Sequence, residues 1–389
     1  MKHLVRPLTL CLLAISSQAA PTEPSPPAPP FVPVFVAGQQ GYACYRIPAL
    51  VATTNGTLIA VADGRVSNCR DIPNAIDLVC KRSLDQGRTW TPLQVIANYG
   101  KGSNSTDVYP AYGLTNAVRH VAAGDAALLL DRTNGRVWVL YDNGAYVSGQ
   151  HNDRALKLEL RHTDDDGLTW SAPIDVEAKN RDLRPAGTDF MASPGNGIQL
   201  LHGPHAGRLI FPVYVWAKPY YSTLIYSDDH GQTWRRGGNA GTGGGEIQIA
   251  ETQDGHLLAT LRNNAFVRKG VRFFSTCPDG GQTWGMPYAH TPDQPALPDP
   301  RCQASLLRLT PADGRANVLI LANAADPNSR TNLTLRFSSD CGRTWPASKL
   351  LYAGSSAYSA LTPLSPSEVG VLLEMDNDQR ICFARAKVP

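Results

Sequence analysis

The octapeptide "SDDHGQTW" at residues 227–234 shows the pattern that decides the fold, Ser/Thr-x-Asp-x-Gly-x-Thr-Trp. The chain holds four more copies, one of which has cysteine in the first position: "SLDQGRTW" (83–90), "TDDDGLTW" (163–170), "CPDGGQTW" (277–284) and "SSDCGRTW" (338–345). We call these five segments Asp boxes. The central Asp and Gly favour a tight turn, because glycine accepts a positive φ and the carboxylate accepts backbone N–H bonds. Each box therefore predicts the tip of a β-hairpin, and we interpret the boxes as folding devices.

The spacing of the boxes predicts the architecture. Their closing tryptophans lie 80, 64, 50 and 61 residues apart, which fits one four-stranded sheet per repeat. Runs typical of strands lie between them, among them "RVWVLY", "RLIFPVYV", "HLLATL" and "NVLILA". Sheets repeated in this way around an axis form a β-propeller. Five tips, together with a blade closed by the two chain ends, predict an all-β, six-bladed β-propeller with Asp-box hairpin turns.

The amino terminus predicts export. Lys2, His3 and Arg6 precede the apolar run "LTLCLLAI", and small residues follow in "SSQAA". This pattern is typical of a signal peptide, here residues 1–20, and indicates a secreted or periplasmic protein. The proline-rich stretch "PTEPSPPAPPFVP" at 21–33 predicts an extended linker, so the folded domain is expected at 34–389.

Charge and hydropathy exclude two classes of partner. The formal net charge is +3 and falls to about +1 without Lys2 and Arg6, which leaves no basic surface for nucleic acid or an anionic membrane. The amino-terminal apolar run is too short to cross a bilayer and no later run is longer, so no membrane span is expected.

Seven cysteines follow the predicted signal peptide, and an odd number leaves at least one without an intramolecular partner. By proximity, Cys69 with Cys80 and Cys277 with Cys302 are plausible disulfides, and other pairings stay open. The chain contains no CxxC pair and no HExxH motif, so neither a structural zinc nor a zincin site is expected.

Several segments around the boxes resemble one family. They are "YRIP" (45–48), "ADGR" (62–65), "IDLVCKRS" (76–83), "SPGNGIQL" (193–200) and "EIQIAETQDGHLLATLRN" (246–263). In this order, from about residue 34 to the end of the chain, the set resembles the exo-α-sialidases of bacteria and animals. The resemblance implies retaining hydrolysis of terminal α-linked sialic acids on glycans, glycoproteins or glycolipids, without a metal or an organic cofactor.

Arg46 stands in the apolar run "CYRIPAL" and needs a negative partner, because an unpaired buried guanidinium is costly. The resemblance implies that Arg46, Arg262 and Arg330 grip the carboxylate of sialic acid, for which guanidinium forks have the right geometry. It also implies that Glu374 orients Arg46, and a plain Arg46–Glu374 ion pair is the alternative explanation. Arg336 is the alternative to Arg330 as the third carboxylate-binding arginine.

The resemblance also implies the catalytic groups. Tyr358 would be the nucleophile, Glu246 the base that removes its proton, and Asp71 the acid that protonates the leaving group. The arginines are expected to favour the ionised phenol. The non-catalytic alternatives are that Tyr358 is a core aromatic residue and that Glu246 is a solvated charge. Asp77, the rival of Asp71, is interpreted as structural.

Two further residues match family contacts to the sugar. Arg65 and Asp125 would lie near the 4-hydroxyl of sialic acid. The glycine-rich "GNAGTGGGE" before Glu246 is expected to let the backbone approach the site, and residues 98–124 are expected to form a loop near it. Transfer of sialic acid to another sugar, or a preference for a related keto-sugar acid, stays open, as does a non-catalytic sialoside-binding propeller. A monomer is expected.

Overall fold

The computed structural model describes residues 31–101, 106–150, 153–180, 182–310 and 317–389. The predicted signal peptide and all but the last residues of the predicted linker lie outside the described residues. The first strand, β1 (Val32–Val36), begins two residues before the expected start of the domain. Pro33 therefore belongs to a paired strand and not to the linker, since it aligns with Cys382 in the last strand of the chain.

The regular secondary structure of the described residues is almost entirely β-strand. After β1 the first half of the chain forms β2 (Cys44–Ala52), β3 (Leu58–Arg65), β4 (Ile76–Ser83), β5 (Gln94–Ala97), β6 (Thr106–Tyr109), β7 (Leu114–Leu130), β8 (Val137–Tyr146), β9 (Arg154–Thr163), β10 (Ile174–Asp175), β11 (Asp189–Ala192), β12 (Gly195–Asn196), β13 (Ile198–Gln199), β14 (Leu209–Trp216), β15 (Tyr221–Ser227), β16 (Arg235–Arg236) and β17 (Gly241–Thr242). The second half forms β18 (Gly244–Glu251), β19 (Leu257–Asn263), β20 (Phe273–Cys277), β21 (Ser305–Leu309), β22 (Val318–Ala324), β23 (Thr331–Ser338), β24 (Ala347–Ser355), β25 (Ser359–Ser365), β26 (Glu368–Met375) and β27 (Arg380–Lys387).

Helices are short. In the part of the chain that the structure describes, one α-helical turn, α1 (Val176–Lys179), and the 3-10 turns Pro110–Tyr112 and Gly203–His205 lie in connections between strands. No helix in the described ranges is long and apolar enough to cross a membrane.

The strands form consecutive antiparallel sheets, as a propeller requires. Strand β1 pairs with β27 and completes the sheet β25–β26–β27, so the two chain ends close the molecule on themselves as expected. The sheets of β2–β5 and β7–β10 are joined through a parallel pairing of β4 with β7 at Ile76 and Ala122. The predicted all-β propeller is confirmed. The count of six blades stays a prediction, because this pairing merges two meanders into one ten-stranded sheet.

The hydrophobic core lies between neighbouring sheets. One apolar cluster packs Leu129 and Trp138 of β7 and β8 against Phe211 of β14, and another packs Leu50 of β2 against Leu372 of β26. Because each sheet is buried on both faces by its neighbours, its strands read as nearly continuous apolar runs. The first strands of the sheets contact one another around the axis, which places their ends at a common centre.

The Asp boxes form the hairpin tips that the sequence predicts. In the first box the Asp85 carboxylate accepts bonds from the Thr89 N–H at 2.9 Å and the Thr89 hydroxyl at 2.6 Å. The hydroxyl of Ser83 accepts the Gly87 N–H at 2.7 Å. In the fourth box the sulfur of Cys277 takes this role and accepts the Gly281 N–H at 3.1 Å. The repeat therefore tolerates cysteine at its first position.

The boxes also hold neighbouring sheets together, which the sequence pattern does not show. The glycine of the first box lies against Phe383 in the last sheet, and Gly231 of the third box lies against Trp138 in the sheet before it. Trp90 also packs on the Phe383 ring, with centroids 5.6 Å apart. Where a fourth strand follows a box, it begins one to four residues after the tryptophan.

The predicted disulfides are wrong. Cys69 pairs with Cys44, while Cys80, Cys277 and Cys302 are free and buried. Cys44 at the start of β2 aligns with Arg65 at the end of β3, so it lies beside the loop that begins after Arg65 and holds Cys69. Cys80 instead lies within β4 and packs into a core cluster.

The expected loop at 98–124 is also wrong for Thr106–Tyr109, which form β6, and from Leu114 onward. Strand β7 begins at Leu114 and pairs with β6 and β8, and the alternation of polar and apolar residues there is too weak to reveal it.

We predict that Gly231→Ala destabilises the protein more than Gly56→Ala. Both glycines have a positive φ, 85° and 84°, so both substitutions carry the same backbone strain. A Cβ at Gly231 would lie 2.5 Å from the Trp138 ring, whereas a Cβ at Gly56 meets nothing within 4 Å. Overpacking adds about 1–3 kcal/mol. Apparent melting temperatures at one scan rate measure the difference, and equal values would contradict a sheet-locking role for the box.

Candidate active site

Side chains from separate sheets meet at one end of the axis. Arg46 lies on β2, Glu246 lies on β18, and Tyr358 directly precedes β25. Each of these strands lies at an edge of its sheet, and such edges contact one another around the axis, so residues far apart in sequence come together. Arg262 reaches the same place from β19, and Arg330 from the residue before β23.

The hydroxyl of Tyr358 lies at the centre of this group. It donates to Oε1 of Glu246 at 2.5 Å and accepts a bond from Nη1 of Arg262 at 2.7 Å. The same Nη1 lies 2.8 Å from Oε2 of Glu246. The guanidinium carbons of Arg46 and Arg330 lie 5.7 and 5.6 Å from the centroid of the Tyr358 ring. The phenol is therefore bonded to one carboxylate and surrounded by three cations.

Glu374 links the arginine strand to the tyrosine. Its buried carboxylate accepts hydrogen bonds from Nε of Arg46 at 2.7 Å and from Nη2 at 3.2 Å. It also accepts the backbone N–H groups of Ile47 at 2.8 Å and of Tyr358 at 2.9 Å. Burial alone would raise the pKa of Glu374, but Arg46 outweighs it and holds the pKa below its ordinary value. The expected Arg46–Glu374 pair thus exists within a larger site.

The arginines keep donors that protein groups do not use. Nε of Arg262 is buried and has no hydrogen-bond partner in the described ranges. Arg330 stacks on Tyr358 without a carboxylate in ion-pair distance among the described residues. The rival Arg336 lies within β23, between β22 and β24, and makes no contact with Tyr358. The structure therefore places Arg330, and not Arg336, beside the tyrosine.

The phenol is protonated in the free site. Burial raises the pKa of Tyr358 well above its ordinary value, and the attraction of Arg262 and Arg330 does not compensate for burial and for the negative charge of Glu246. The arginines favour the ionised phenol, as expected, but burial outweighs their effect in the free site. Ionisation has to be coupled to proton transfer, and Glu246 already holds that hydrogen bond.

Asp71 lies on the loop between β3 and β4 with 77% of its side chain exposed. Its carboxylate contacts Nη2 of Arg65 at 2.7 Å. Desolvation within the cleft would raise the pKa of Asp71, but Arg65 first, and then Arg46 and Arg262, outweigh it and hold the pKa below its ordinary value. The contact with Arg65 holds this carboxylate at the end of β3, within reach of the positive charge of Arg46 and Arg262.

Asp125 lies on the same side, next to a second carboxylate. It sits in the left-handed region (φ 56°) at an irregularity of β7, and its N–H donates to Oδ1 of Asp63 at 3.1 Å. Desolvation, followed by repulsion from Asp63 and Asp142, raises the pKa of Asp125 well above its ordinary value. Burial likewise raises the pKa of Asp63 to about 6, although Arg65 lies 3.2 Å away. These acids can therefore act as proton-bearing hydrogen-bond donors.

Asp77, the alternative to Asp71, and the glycine-rich segment have structural roles. Asp77 is buried and accepts bonds from the Tyr42 hydroxyl at 2.8 Å and the Gly100 N–H at 2.6 Å, away from the arginines. A Cβ on Gly245 would lie 2.1 Å from the amide nitrogen of Asn264. Only glycine therefore lets this backbone pass beside Glu246.

Sequence reasoning missed three acidic residues of the site. Asp63 lies in the quoted segment "ADGR", where alternation along β3 places it on the same face as Arg65. Asp378, 3.1 Å from Arg46, lies in the turn "DND" after β26 and carries no sequence signal. Asp142 on β8 is buried among apolar residues, and its position beside Asp125 depends only on the pairing of β7 with β8.

Comparisons with known proteins agree with this geometry. A family model described as a BNR repeat-like domain matches residues 56–371. A sialidase of Micromonospora viridifaciens is 36% identical over 353 residues, which cover 87% of this chain and 51% of the relative. A sialidase of Bacteroides fragilis is 31% identical over 358 residues, which cover 87% of this chain and 61% of the relative. The chain thus spans between half and two thirds of the length of these two curated relatives.

A solved structure gives the same result. The Hadza microbial sialidase Hz136 aligns with a TM-score of 0.75 at 30% identity, over 90% of this chain and 67% of that chain. The family model covers most of the chain, and the Micromonospora relative is similar over nearly all of it. The chain therefore belongs to the sialidase family of BNR-repeat propellers.

Proposed function

We propose that the protein is a retaining exo-α-sialidase that removes terminal α-linked sialic acids from glycans, glycoproteins or glycolipids. The observation that carries the proposal is the phenol of Tyr358, bonded to Glu246 and ringed by three arginines. The relatives, which are named sialidases, support the same activity. The complete set of Asp71, Glu246 and Tyr358 argues against a non-catalytic binding propeller.

Arg46, Arg262 and Arg330 bind the substrate carboxylate. Arg262 and Arg330 have donors left over, and Arg46 is aimed by Glu374. Charge-assisted forks from three sides fix the plane of a carboxylate and so orient the anomeric carbon that bears it. The carboxylate also offsets the mutual repulsion of the three cations.

The nucleophile is neutral because the anomeric carbon carries a carboxylate. An approaching carboxylate nucleophile would be repelled, whereas a phenol becomes negative only as it bonds. Tyr358 forms a bond to the anomeric carbon while its proton passes to Glu246. The bond from this carbon to the aglycone oxygen breaks, and Asp71 protonates that oxygen. Water then attacks the tyrosyl-linked sugar, Asp71 accepts the proton of the water, and Glu246 returns its proton to the phenol.

Binding of the substrate prepares Asp71 to act as an acid. In the free site the arginines hold the pKa of Asp71 low. A substrate carboxylate on Arg46 and Arg262 weakens this attraction, so the pKa of Asp71 rises in the complex. The protonated form is then favoured where it is needed.

Arg65 and Asp125 bind the far side of the sugar, near the 4-hydroxyl. Arg65 is held by Asp63 and Asp71, and Asp125 lies beside Asp63. We further propose that the protein is exported and acts as a monomer. The Cys44–Cys69 disulfide supports an oxidising compartment, and every proposed site residue comes from one chain.

Tyr358→Phe is expected to lower kcat/KM for a fluorogenic sialoside at least about 100-fold, because the nucleophilic oxygen is removed. The matched control is Tyr352→Phe, which removes a phenol bonded to Asp376 at the surface and is expected to keep full activity. Equal rates for Tyr358→Phe and wild type would contradict the mechanism. Wild-type protein without sialidase activity would contradict the function itself.

Glu374→Gln is expected to raise KM and to lower kcat/KM by about 10- to 100-fold, since a charge-assisted hydrogen bond to Arg46 contributes about 1.5–3 kcal/mol. Glu368→Gln on the same strand breaks a surface pair with Arg385 and is the control, expected to stay within about twofold of wild type. Indistinguishable effects of the two substitutions would rule out an orienting role for Glu374.

The pH profile should report the shift at Asp71. The acid must be protonated, so activity falls as pH rises through its pKa. The alkaline limb of kcat/KM reflects the free enzyme, and that of kcat reflects the complex. Because the substrate carboxylate raises the pKa of Asp71, the limb of kcat is expected at higher pH than the limb of kcat/KM. Coincident limbs would refute this coupling.

A further inference from the structure

The Cys44–Cys69 disulfide joins two parts of the proposed site. Cys44 begins β2, two residues before Arg46, and Cys69 lies two residues before Asp71. The bond therefore connects the rigid strand that presents an arginine to the exposed loop that presents the acid. The spacing of the cysteines indicated neither this pairing nor the link between the two parts of the site.

The loop has few other anchors. Its base is closed by the Val66 N–H, which donates to the Ala75 carbonyl at 3.0 Å. The residues from Ser67 to Asp71 are exposed and pack no side chain into the core, and the next buried residue is Ile72. The Asp71 carbonyl accepts the Asn74 N–H at 3.2 Å and the Asn74 side-chain amide at 2.8 Å, so these anchors lie at and after Asp71. The residues from Ser67 to Arg70 have few buried contacts to hold them in one conformation.

Arg65 supplies the second anchor. Its Nη1 donates to the Cys69 carbonyl at 2.5 Å, and its Nη2 reaches Asp71 at 2.7 Å. The disulfide and Arg65 thus converge on Cys69, one through the side chain and one through the backbone. The disulfide does not hold the sheet, because β2 and β3 are already paired through seven residue pairs from Cys44 to Ala52.

We infer that the Cys44–Cys69 disulfide is a positioning device for general-acid catalysis, and this inference rests on the proposed function. It holds the Asp71 carboxylate over the arginine group, where it meets the oxygen of the leaving aglycone. Proton transfer needs the acid within hydrogen-bond distance, and small displacements are costly in rate. Cys44 and Cys69 are therefore positioning residues that act through Asp71.

The leaving group gives a readout that a merely structural role would not move. Sialyllactose releases a sugar alkoxide that must be protonated, whereas 4-nitrophenyl sialoside releases a stable phenolate that does not need the acid. In a Cys44→Ser/Cys69→Ser double variant, we expect kcat/KM for sialyllactose to fall at least about tenfold. For 4-nitrophenyl sialoside we expect a change within about threefold. Both substrates are measured on the same preparation, so partial unfolding lowers both rates equally and leaves their ratio unchanged.

A second background tests whether the effect passes through Asp71. In an Asp71→Asn protein the acid is already lost, so removing both cysteines is expected to leave the ratio of the two rates unchanged. A further fall of the ratio in this background would overturn the inference, as would equal losses on both substrates in the first experiment.

Reduction of wild-type protein covers the case in which the double variant does not fold. Dithiothreitol reduces the disulfide to two thiols while the reagent is oxidised to its cyclic disulfide. We expect selective and reversible loss of sialyllactose hydrolysis, with the Cys44→Ser protein insensitive to the reagent as a control. Unchanged selectivity after full reduction, checked by thiol counting, overturns the inference. Absence of activity on both substrates in oxidised wild type would instead refute the proposed function.

Discussion

The site depends on one buried carboxylate with four donors. Glu374 holds the guanidinium of Arg46 and the backbone N–H groups of Ile47 and Tyr358, so it ties β2 to the start of β25. Removing one partner of such a group leaves an unpaired buried charge, which is far more costly than the loss of a surface pair. The same group thus ties the last sheet to the first and fixes the relative position of the arginine and the tyrosine. Stability and site geometry are set by a single interaction.

The outer edge and the axis of the propeller have different roles. At the outer hairpins the Asp boxes press glycines and tryptophans onto the preceding sheet, as Gly231 does on Trp138. At the axis the first strands end in charged groups that no single sheet could assemble. A rigid outer frame allows this, because converging cations such as Arg46 and Arg262 repel one another and would separate on a flexible scaffold.

The pKa values of the acidic side chains are lowered on one side of the site and raised on the other. Near the three arginines the exposed Asp71 is held ionised, whereas away from them Asp63 and Asp125 are driven toward protonation by burial and by each other. An anionic sugar fits this division, since its carboxylate meets cations and its hydroxyls meet groups able to donate and accept. Tyr358 stands at the boundary, where burial keeps it neutral until Glu246 takes its proton.

The sequence alone determined the repeat and the all-β propeller, and its resemblance to the exo-α-sialidases implied the arginines and the tyrosine. These follow from local patterns: a box such as 227–234 makes its own turn, and motifs such as "YRIP" are contiguous. The tertiary structure decided what depends on residues distant in sequence. It replaced the expected pairs of Cys69 with Cys80 and Cys277 with Cys302, and it added Asp142 and Asp378 to the site. It also added the burial that keeps the phenol protonated although the arginines favour its ionised form. Burial depends on packing around the whole axis, which no local stretch encodes.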